Sequence, residues 1–202
     1  MLKAIGHGFR NIVNFEGRDA RQAFWFWVLF LYVVTTAISM VVTMPMTAGA
    51  MATGIQQGIA QAGNADRAAA DAAAQAAIVQ SIAGYMPLMT GITIATGLIY
   101  LFGLAAAFVR RLHDSGLPGW WAILPGGLQA ANIALVPAQM GRMQETLTAA
   151  MSGNPFAGIN AMAGSFGISA LCAWGAIIAL IVLGVRKSTP GPNRYGDAPF
   201  VA

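Results

Sequence analysis

Charged residues are scarce in this chain of 202 residues. Asp, Glu, Lys and Arg make up 9% of it and hydrophobic residues 57%, whereas a soluble domain carries roughly 25% charged residues. This composition excludes an ordinary soluble protein and predicts a membrane protein. The net charge of +4 does not indicate nucleic-acid binding, because long apolar runs separate the basic residues. Membrane headgroups are their expected counterpart.

Cysteine and histidine are almost absent. The one cysteine, Cys172, lies in an apolar run, so no disulfide framework is expected. His7 and His113 are the two histidines, which excludes a multi-histidine metal site within one chain. Methionines beyond Met1 cluster in the half predicted below to face outward. Thioethers can bind Cu(I), but methionine also fills irregular gaps, and we expect neither a metal nor a cofactor.

Long uncharged runs dominate the rest of the sequence. Residues 23–44, 82–109, 120–136 and 166–185 predict four membrane-spanning helices, since about 20 apolar residues cross the hydrocarbon. The fold class is therefore expected to be all-α, an integral membrane four-helix bundle. A lead of 22 residues is too long for a cleaved signal peptide, so the first span is expected to be retained.

Two prolines bear on where these helices end or bend. Pro45 follows the first span, which is predicted to stop before it. Pro125 lies inside the third span and is followed by two glycines. We expect a kink or a narrowing there, as neighbouring helices or water must satisfy the freed backbone groups.

The segments between the spans differ in composition. Residues 1–22 carry apolar residues at helical spacing and predict a cytoplasmic arm with an amphipathic surface helix. The connection 45–81 is alanine-rich and 138–165 has methionines at helical spacing, so both are predicted to be helical, with a flexible loop as the alternative for the first. Glycine and proline predict a tight turn at 110–119 and an irregular tail at 186–202.

The basic residues predict the orientation. Nine of the eleven lie in the arm, the turn and the tail, and only Arg67 and Arg142 lie in the long connections. Since basic residues concentrate on the cytoplasmic side, both termini and the turn are expected to be cytoplasmic and both connections extracytoplasmic. Tryptophans favour the headgroup level. The expected interface anchors are Trp25, Trp27, Trp120 and Trp121.

Three motifs resemble a known family. FEGRDARQAFWFW, RRLHDSGLPGWW and GPNRYGDAP are similar, in this order, to segments of the bacterial domain of unknown function 805 family of small inner-membrane proteins. The resemblance implies a four-helix bundle in the bacterial inner membrane and no established activity. Both outer connections are longer here than in the compact form of the family. The matching residues are Arg18, Arg21, Phe24, Trp25, Arg110, Arg111, His113, Asp114, Gly116, Gly119, Trp120, Asn193, Arg194, Tyr195, Gly196 and Pro199.

All three motifs are expected at the cytoplasmic surface, where they would form one Arg/Trp cluster. Guanidinium groups suit phosphate and carboxylate, so the cluster is a candidate site for an anionic headgroup or another phosphorylated ligand. The alternative is structural: Asp114 pairs with an arginine, His113 caps a helix and the arginines anchor the bundle. The candidate ligand-binding residues are Arg18, Arg21, Arg110, Arg111, His113, Asp114 and Arg194.

Catalysis is not expected. His113, Asp114 and Ser115 are consecutive, but neighbours in a turn point apart, and no nucleophile elbow surrounds Ser115. The leading hypothesis is a non-catalytic structural or assembly protein that binds membrane lipids, anionic ones above all, or a membrane-protein partner such as a second copy. The alternative is a transporter or channel component, or a binder of a phosphorylated ligand through Arg111, His113 and Asp114. Transport is disfavoured because the spans lack ionisable residues.

Overall fold

A computed structural model describes residues 1–61, 67–151 and 167–200. Within these ranges the chain forms α-helices and one 3-10 turn, Gly119–Ala122, with no β-strand. The all-α prediction is confirmed for this part of the chain. The helices are α1 (Leu2–Arg10), α2 (Arg21–Gln61), α3 (Arg67–Asp114), α4 (Ile123–Met151) and α5 (Ile168–Gly184).

Three of the described helical segments are long and apolar enough to cross a membrane. They are α2, α3 and the segment Gly119–Ala149, which contains most of α4. The last helix, α5, is equally apolar but has 17 residues, slightly below the about 20 that cross the hydrocarbon. The chain is therefore a helical protein suited to a membrane, as its composition predicts.

The long helices continue through their prolines. α2 runs past Pro45 to Gln61, α3 contains Pro87 and α4 contains Pro137. The predicted first span stops before Pro45 but the helix does not, because proline removes a single N–H hydrogen bond and an apolar helix with intact turns on both sides tolerates that loss. Pro125 is the third residue of α4 rather than an interior break. In the first turn an N–H group has no intrahelical partner, so proline is tolerated there.

Both long connections are helical where the structure describes them. Residues 45–61 continue α2, and residues 67–81 belong to α3. In the second connection, residues 138–151 continue α4. The predicted helices of residues 62–66 and 152–166 lie outside the described residues. The described parts of the connections are thus extensions of the long helices.

The chain divides into two compact units. Unit 1 comprises Met1–Ala37, Ala95–Ala134 and Ile168–Ala202, and unit 2 comprises Ile38–Ile94 and Leu135–Gly167. Helices α2, α3 and α4 contribute residues to both units. Unit 1 contains all three sequence motifs, so the candidate site belongs to it.

In unit 2, the second part of α2 packs closely on the first part of α3. A Cβ atom at Gly54 would lie 2.3 Å from Cγ1 of Ile78, so this contact needs glycine. The buried apolar residues are small or flexible, namely Met46, Ala50, Ala70, Met86 and Val136. Small residues let helix backbones approach each other, which is how helices associate when hydrocarbon surrounds them.

The core of unit 1 is built around Trp27. This side chain is 2% exposed, and its Nε1 donates a hydrogen bond to the carbonyl oxygen of Gly103 at 2.8 Å. Around it lie buried residues of α2, α3 and α5, including Phe24, Phe108 and Leu183. An indole buried with its N–H satisfied combines a large apolar contact area with a fixed orientation.

The amphipathic helix predicted in the arm is present as α1. It buries Ala4 and Gly8, and Gly8 lies directly on the Trp27 ring, where a Cβ atom would be 2.3 Å from Cε3. Its other face leaves Leu2 85% exposed and Phe9 54% exposed. An exposed apolar face is typical of a helix that lies on a membrane surface.

Each of the helices α2 to α5 contacts at least two others in unit 1. Leu31 of α2 packs against Gly103 of α3, and Gly184 of α5 packs against Phe24 of α2. A Cβ atom at Gly97 of α3 would lie 2.9 Å from Ile133 of α4. One at Gly175 of α5 would lie 3.2 Å from Leu128 of α4. These contacts order the helices as α2, α3, α4 and α5, with α5 returning to α2.

Candidate functional site

The three motif segments meet at one end of unit 1. Their backbones hydrogen-bond directly: Asp19 donates to the Arg110 carbonyl at 3.2 Å, and Phe200 donates to the Arg18 carbonyl at 3.1 Å. Thr189 donates to the carbonyl oxygen of Asp114 at 2.8 Å. The arm after α1, the end of α3 and the tail after α5 therefore form one continuous hydrogen-bonded structure.

Five charged side chains lie inside this structure. Aspartate and arginine are almost never fully buried unless they are paired. Here none of the five is more than 5% exposed. We call Arg18, Asp19, Arg110, Arg111 and Asp114 the buried charge cluster.

Asp114 lies at the centre of the cluster and is fully buried. Its Oδ1 accepts a hydrogen bond from Arg18 Nη2 at 3.0 Å, and its Oδ2 accepts bonds from Arg111 Nη1 and the Ser188 hydroxyl. Its backbone oxygen accepts a further bond from the Thr189 hydroxyl at 3.0 Å. Charge-assisted bonds of this kind are roughly twice as strong as neutral ones. One carboxylate thus joins the arm, α3 and the tail.

Arg18 binds the tail through both ends of its guanidinium group. Nη2 donates to the Thr189 carbonyl at 2.7 Å, and Nη1 donates to the carbonyls of Gly191 at 2.6 Å and Asp197 at 3.1 Å. Gly191 has φ of 72°, a left-handed conformation that glycine adopts without strain. The fork of donors on one arginine therefore holds the irregular tail in a defined path.

Arg110 and Asp19 connect the end of α3 to the arm. Arg110 Nε donates to Asp19 Oδ2 at 2.9 Å, and Nη1 donates to the carbonyls of Asn11 and Asn14. The second carboxylate oxygen of Asp19 lies 2.9 Å from Nε2 of His7. The short loop after α1 is thus fixed by the end of α3.

Arg111 connects α3 to α5. Its Nε donates to the Gly184 carbonyl at 2.9 Å and its Nη2 to the Arg186 carbonyl. These carbonyls end α5, where backbone oxygens have no partner within the helix. Arg111 therefore caps α5 while pairing with Asp114, and it is fully buried in doing so.

His113 and Arg194 stack on the same tyrosine at the edge of the cluster. The His113 ring lies parallel to the Tyr195 ring at 3.9 Å between centroids, and the Arg194 Cζ is 4.6 Å from the Tyr195 centroid. His113 lies beyond the predicted span of residues 82–109. Burial lowers the pKa of His113 below its ordinary value, and the charge of Arg194 adds to this. The ring is therefore neutral at neutral pH.

The predicted site residues thus fall into two groups. Arg18, Arg110, Arg111 and Asp114 are buried and bonded to the protein, and Asp114 pairs with two arginines. Arg21 and Arg194 are exposed, and His113 lies between the two groups. Only the exposed cations can reach a ligand without rearrangement of the cluster.

The tryptophans divide in the same way. Trp120 is 59% exposed and stacks on Trp121 at 4.6 Å, and Trp25 is partly buried, so these three can lie at an interface. Trp27 was expected to be an interface anchor as well, but it lies in the core of unit 1. Its indole N–H bonds to the protein instead of to headgroups or water.

Asp19 of the buried charge cluster was missed from the sequence, as were Ser188 and Thr189, which hydrogen-bond to Asp114. Asp19 stands in the first motif next to Arg18, and its position between arginines was the available signal. Ser188 and Thr189 precede the third motif and carried none. Among the described residues, no group of three His, Cys, Asp or Glu side chains is placed to hold a metal ion.

Fold and site together define the class of this protein. It is a helical protein suited to a membrane, in which the three sequence motifs meet around a buried charge cluster at one end of unit 1. The family described as "Protein of unknown function (DUF805)" matches residues 12–197, and the chain belongs to that family. Comparison with curated proteins and with solved structures finds no match in either.

Proposed function

We propose that this protein is a non-catalytic structural or assembly protein of the bacterial inner membrane, whose cytoplasmic end binds anionic lipid headgroups. One observation carries the proposal: some charged residues of unit 1 are buried in the cluster, whereas the exposed ones are mostly basic. The cluster uses three arginines and two aspartates internally, which leaves six basic and two acidic residues exposed. The exposed residues are Lys3, Arg10, Arg21, Arg186, Lys187 and Arg194, with Glu16 and Asp197.

An excess of exposed cations suits a membrane surface. Each basic side chain near an anionic leaflet contributes about 1 kcal/mol of attraction, without a defined pocket. The buried charge cluster has a different role in this proposal: it holds the arm and the tail in place so that the exposed cations face the same surface. The Ser115 hydroxyl donates to the Leu112 carbonyl at 2.9 Å, so it is not poised as a nucleophile.

We propose four passes, with both termini in the cytoplasm. The distribution of basic residues supports this orientation. The backbone hydrogen bonds among Arg18, Asp114, Thr189 and Phe200 support an even number of passes. The chain leaves this end of unit 1 in α2, returns to it in α3, leaves it again in α4 and returns in α5. In this reading α5 is the fourth span, despite its 17 residues.

Cysteine labelling in intact bacteria tests the orientation. With Cys172 replaced by serine, Ala69→Cys is expected to react with an impermeant maleimide added from outside, because Ala69 is exposed on a predicted outer connection. Ser115→Cys lies in the predicted cytoplasmic turn and is expected to react only after the membrane is permeabilised. The opposite pattern would reverse the topology and remove the basis for a cytoplasmic lipid site.

Native mass spectrometry tests lipid binding in nanodiscs containing phosphatidylglycerol and phosphatidylethanolamine. The wild type is expected to retain phosphatidylglycerol preferentially, and a variant with all six exposed basic residues changed to glutamine is expected to lose this preference. The matched control carries Arg67→Gln and Arg142→Gln, which lie outside unit 1. It should behave as the wild type does.

Two results would contradict this proposal. One is a wild type without preference for the anionic lipid, or a control that loses the preference equally. The other is a membrane protein that copurifies with the wild type and is lost from the six-residue variant while lipid retention stays unchanged. That result would assign the exposed cations to a protein partner.

A further inference from the structure

An apolar cavity of about 550 Å³ lies between α2, α3, α4 and α5 in unit 1. Its walls are mostly aliphatic and aromatic, with Trp25, Leu104, Phe108 and Leu180 among them. The side chains with polar groups on its lining include Tyr32, Tyr100 and Gln129. The buried charge cluster contributes no residue to this lining, so the cavity is a separate feature.

The size of the cavity limits what can occupy it. A pocket for one small molecule measures about 300–1,000 Å³, whereas a helix about 10 Å wide needs roughly 1,000 Å³ or more over a length of 15 Å. Along the 3-10 turn and the start of α4 the lining reaches from Gly119 to Gln129, a distance of about 15 Å at the helical rise. The cavity is therefore long enough for a hydrocarbon chain and too small for a helix of a partner protein. Its apolar walls also give water few hydrogen-bond partners.

One face of α2 connects the cavity to an exposed cation. Trp25, Val28 and Tyr32 line the cavity, and Arg21 precedes Trp25 by four residues, so all four lie on one helical face. Arg21 is exposed, and its side chain has no hydrogen bond or ion pair within residues 1–61, 67–151 and 167–200. The partly exposed Phe15 also lines the cavity and comes from the same arm. A ligand with an anionic head and an apolar chain matches this arrangement of an exposed cation next to an apolar cavity.

We propose that the cavity binds one acyl chain of an anionic phospholipid, with the lipid phosphate bound by Arg21. This inference rests on the proposed membrane function, because only a protein in a bilayer meets such a lipid at high concentration. It goes further by assigning one lipid to one site, distinct from the diffuse attraction of the exposed cations. Guanidinium binds phosphate through paired donors, which makes Arg21 the residue that selects the headgroup.

Two adjacent glycines provide a matched test of whether the cavity binds an acyl chain. Gly126 lines the cavity, and a Cβ atom there would lie 3.9 Å from Leu101 Cδ1, an ordinary contact. Gly127 does not line the cavity, and a Cβ atom there would meet nothing within 4 Å. Gly126→Leu should therefore fill the cavity, while Gly127→Leu makes the same chemical change outside it. Ala105→Leu, on α3, fills the cavity from a second helix.

The readout is retention of palmitoyl-oleoyl-phosphatidylglycerol by the full chain in native mass spectrometry. The wild type and Gly127→Leu are expected to keep one lipid per protein molecule at a collision energy that removes the other bound lipids. In Gly126→Leu and Ala105→Leu the fraction of protein that retains this lipid is expected to be roughly tenfold lower. The reason is that each acyl methylene displaced from an apolar site weakens lipid binding severalfold. The added lipid should also raise the thermal stability of Gly127→Leu but not of Gly126→Leu. Circular dichroism checks that both variants are folded.

Headgroup selection is tested by Arg21→Gln, with phosphatidylcholine as the competing probe. This variant is expected to keep one lipid per protein molecule but to lose its preference for phosphatidylglycerol over phosphatidylcholine. An unchanged preference would overturn the role of Arg21. Equal retention by Gly126→Leu and Gly127→Leu would overturn the cavity site, as would a retained molecule that is a detergent or a neutral isoprenoid. If the general enrichment of anionic lipid persists in that case, this inference fails while the proposed function stands.

Discussion

Asp114→Asn is expected to prevent stable folding of unit 1. Asp114 is fully buried and accepts hydrogen bonds from two arginines and a serine. Asparagine keeps the shape of the side chain but removes its negative charge. Its amide N–H groups would also face the N–H and O–H donors that now bond to the carboxylate. Breaking a buried ion pair from one side lowers the free energy of unfolding by about 3–5 kcal/mol, because the remaining charge stays buried and unpaired.

Thermal unfolding in detergent, with gel filtration to detect aggregates, measures this effect. Asp197→Asn is the matched control, since it makes the same change on an exposed side chain of the tail. The Asp197 backbone oxygen, which accepts a bond from Arg18, is retained in the control. If Asp114→Asn unfolds at the same temperature as Asp197→Asn, the cluster does not stabilise the fold.

Trp27→Ala is expected to destabilise the protein by about 3–5 kcal/mol, the range for removing a large buried aromatic residue. The ring packs against Gly8, lies within the core of unit 1 and donates its N–H to Gly103. Alanine leaves a cavity under α1 and removes the hydrogen bond to the Gly103 carbonyl of α3. Loss of α1 docking should follow, which limited proteolysis of the arm detects.

Trp174→Ala is the control for this change. Trp174 is 64% exposed, so its removal takes little packing away. Trp27→Phe separates the two contributions, since phenylalanine retains much of the ring contact but not the hydrogen bond. An interface anchor would give the reverse result, with Trp27→Ala close to the wild type in detergent, where no bilayer surface is present.

Composition and motif order predicted the fold class and the family because both depend on properties summed over many residues. Uncharged runs predict apolar helices, and breakers predict a turn at residues 110–119, although α3 continues to Asp114. Where the helices end was less predictable. Pro45 has the sequence signature of a stop, yet the cost of one missing hydrogen bond is small beside the many bonds on both sides of it.

The site was predicted as a set of residues but not as an arrangement. Sequence order shows that Arg18, Arg111 and Asp114 share one side of the membrane in the proposed topology, but not which of them are buried. That depends on long-range contacts such as Thr189 against Asp114, which no local pattern encodes. The same holds for Trp27, because tryptophan near a helix start suits both an interface and a core.

The distance in sequence between Arg18 and its partners sets an order of events during synthesis. Thr189, which accepts from Arg18, follows it by 171 residues. At about 5–20 residues per second, the ribosome makes that stretch in roughly ten to thirty seconds. Throughout this interval Arg18 has been made but lacks its partners in the tail. The bonds from Arg18 to the tail are therefore the last of its contacts that synthesis makes available, after Asp114 and the helices α2 to α5 have already been made.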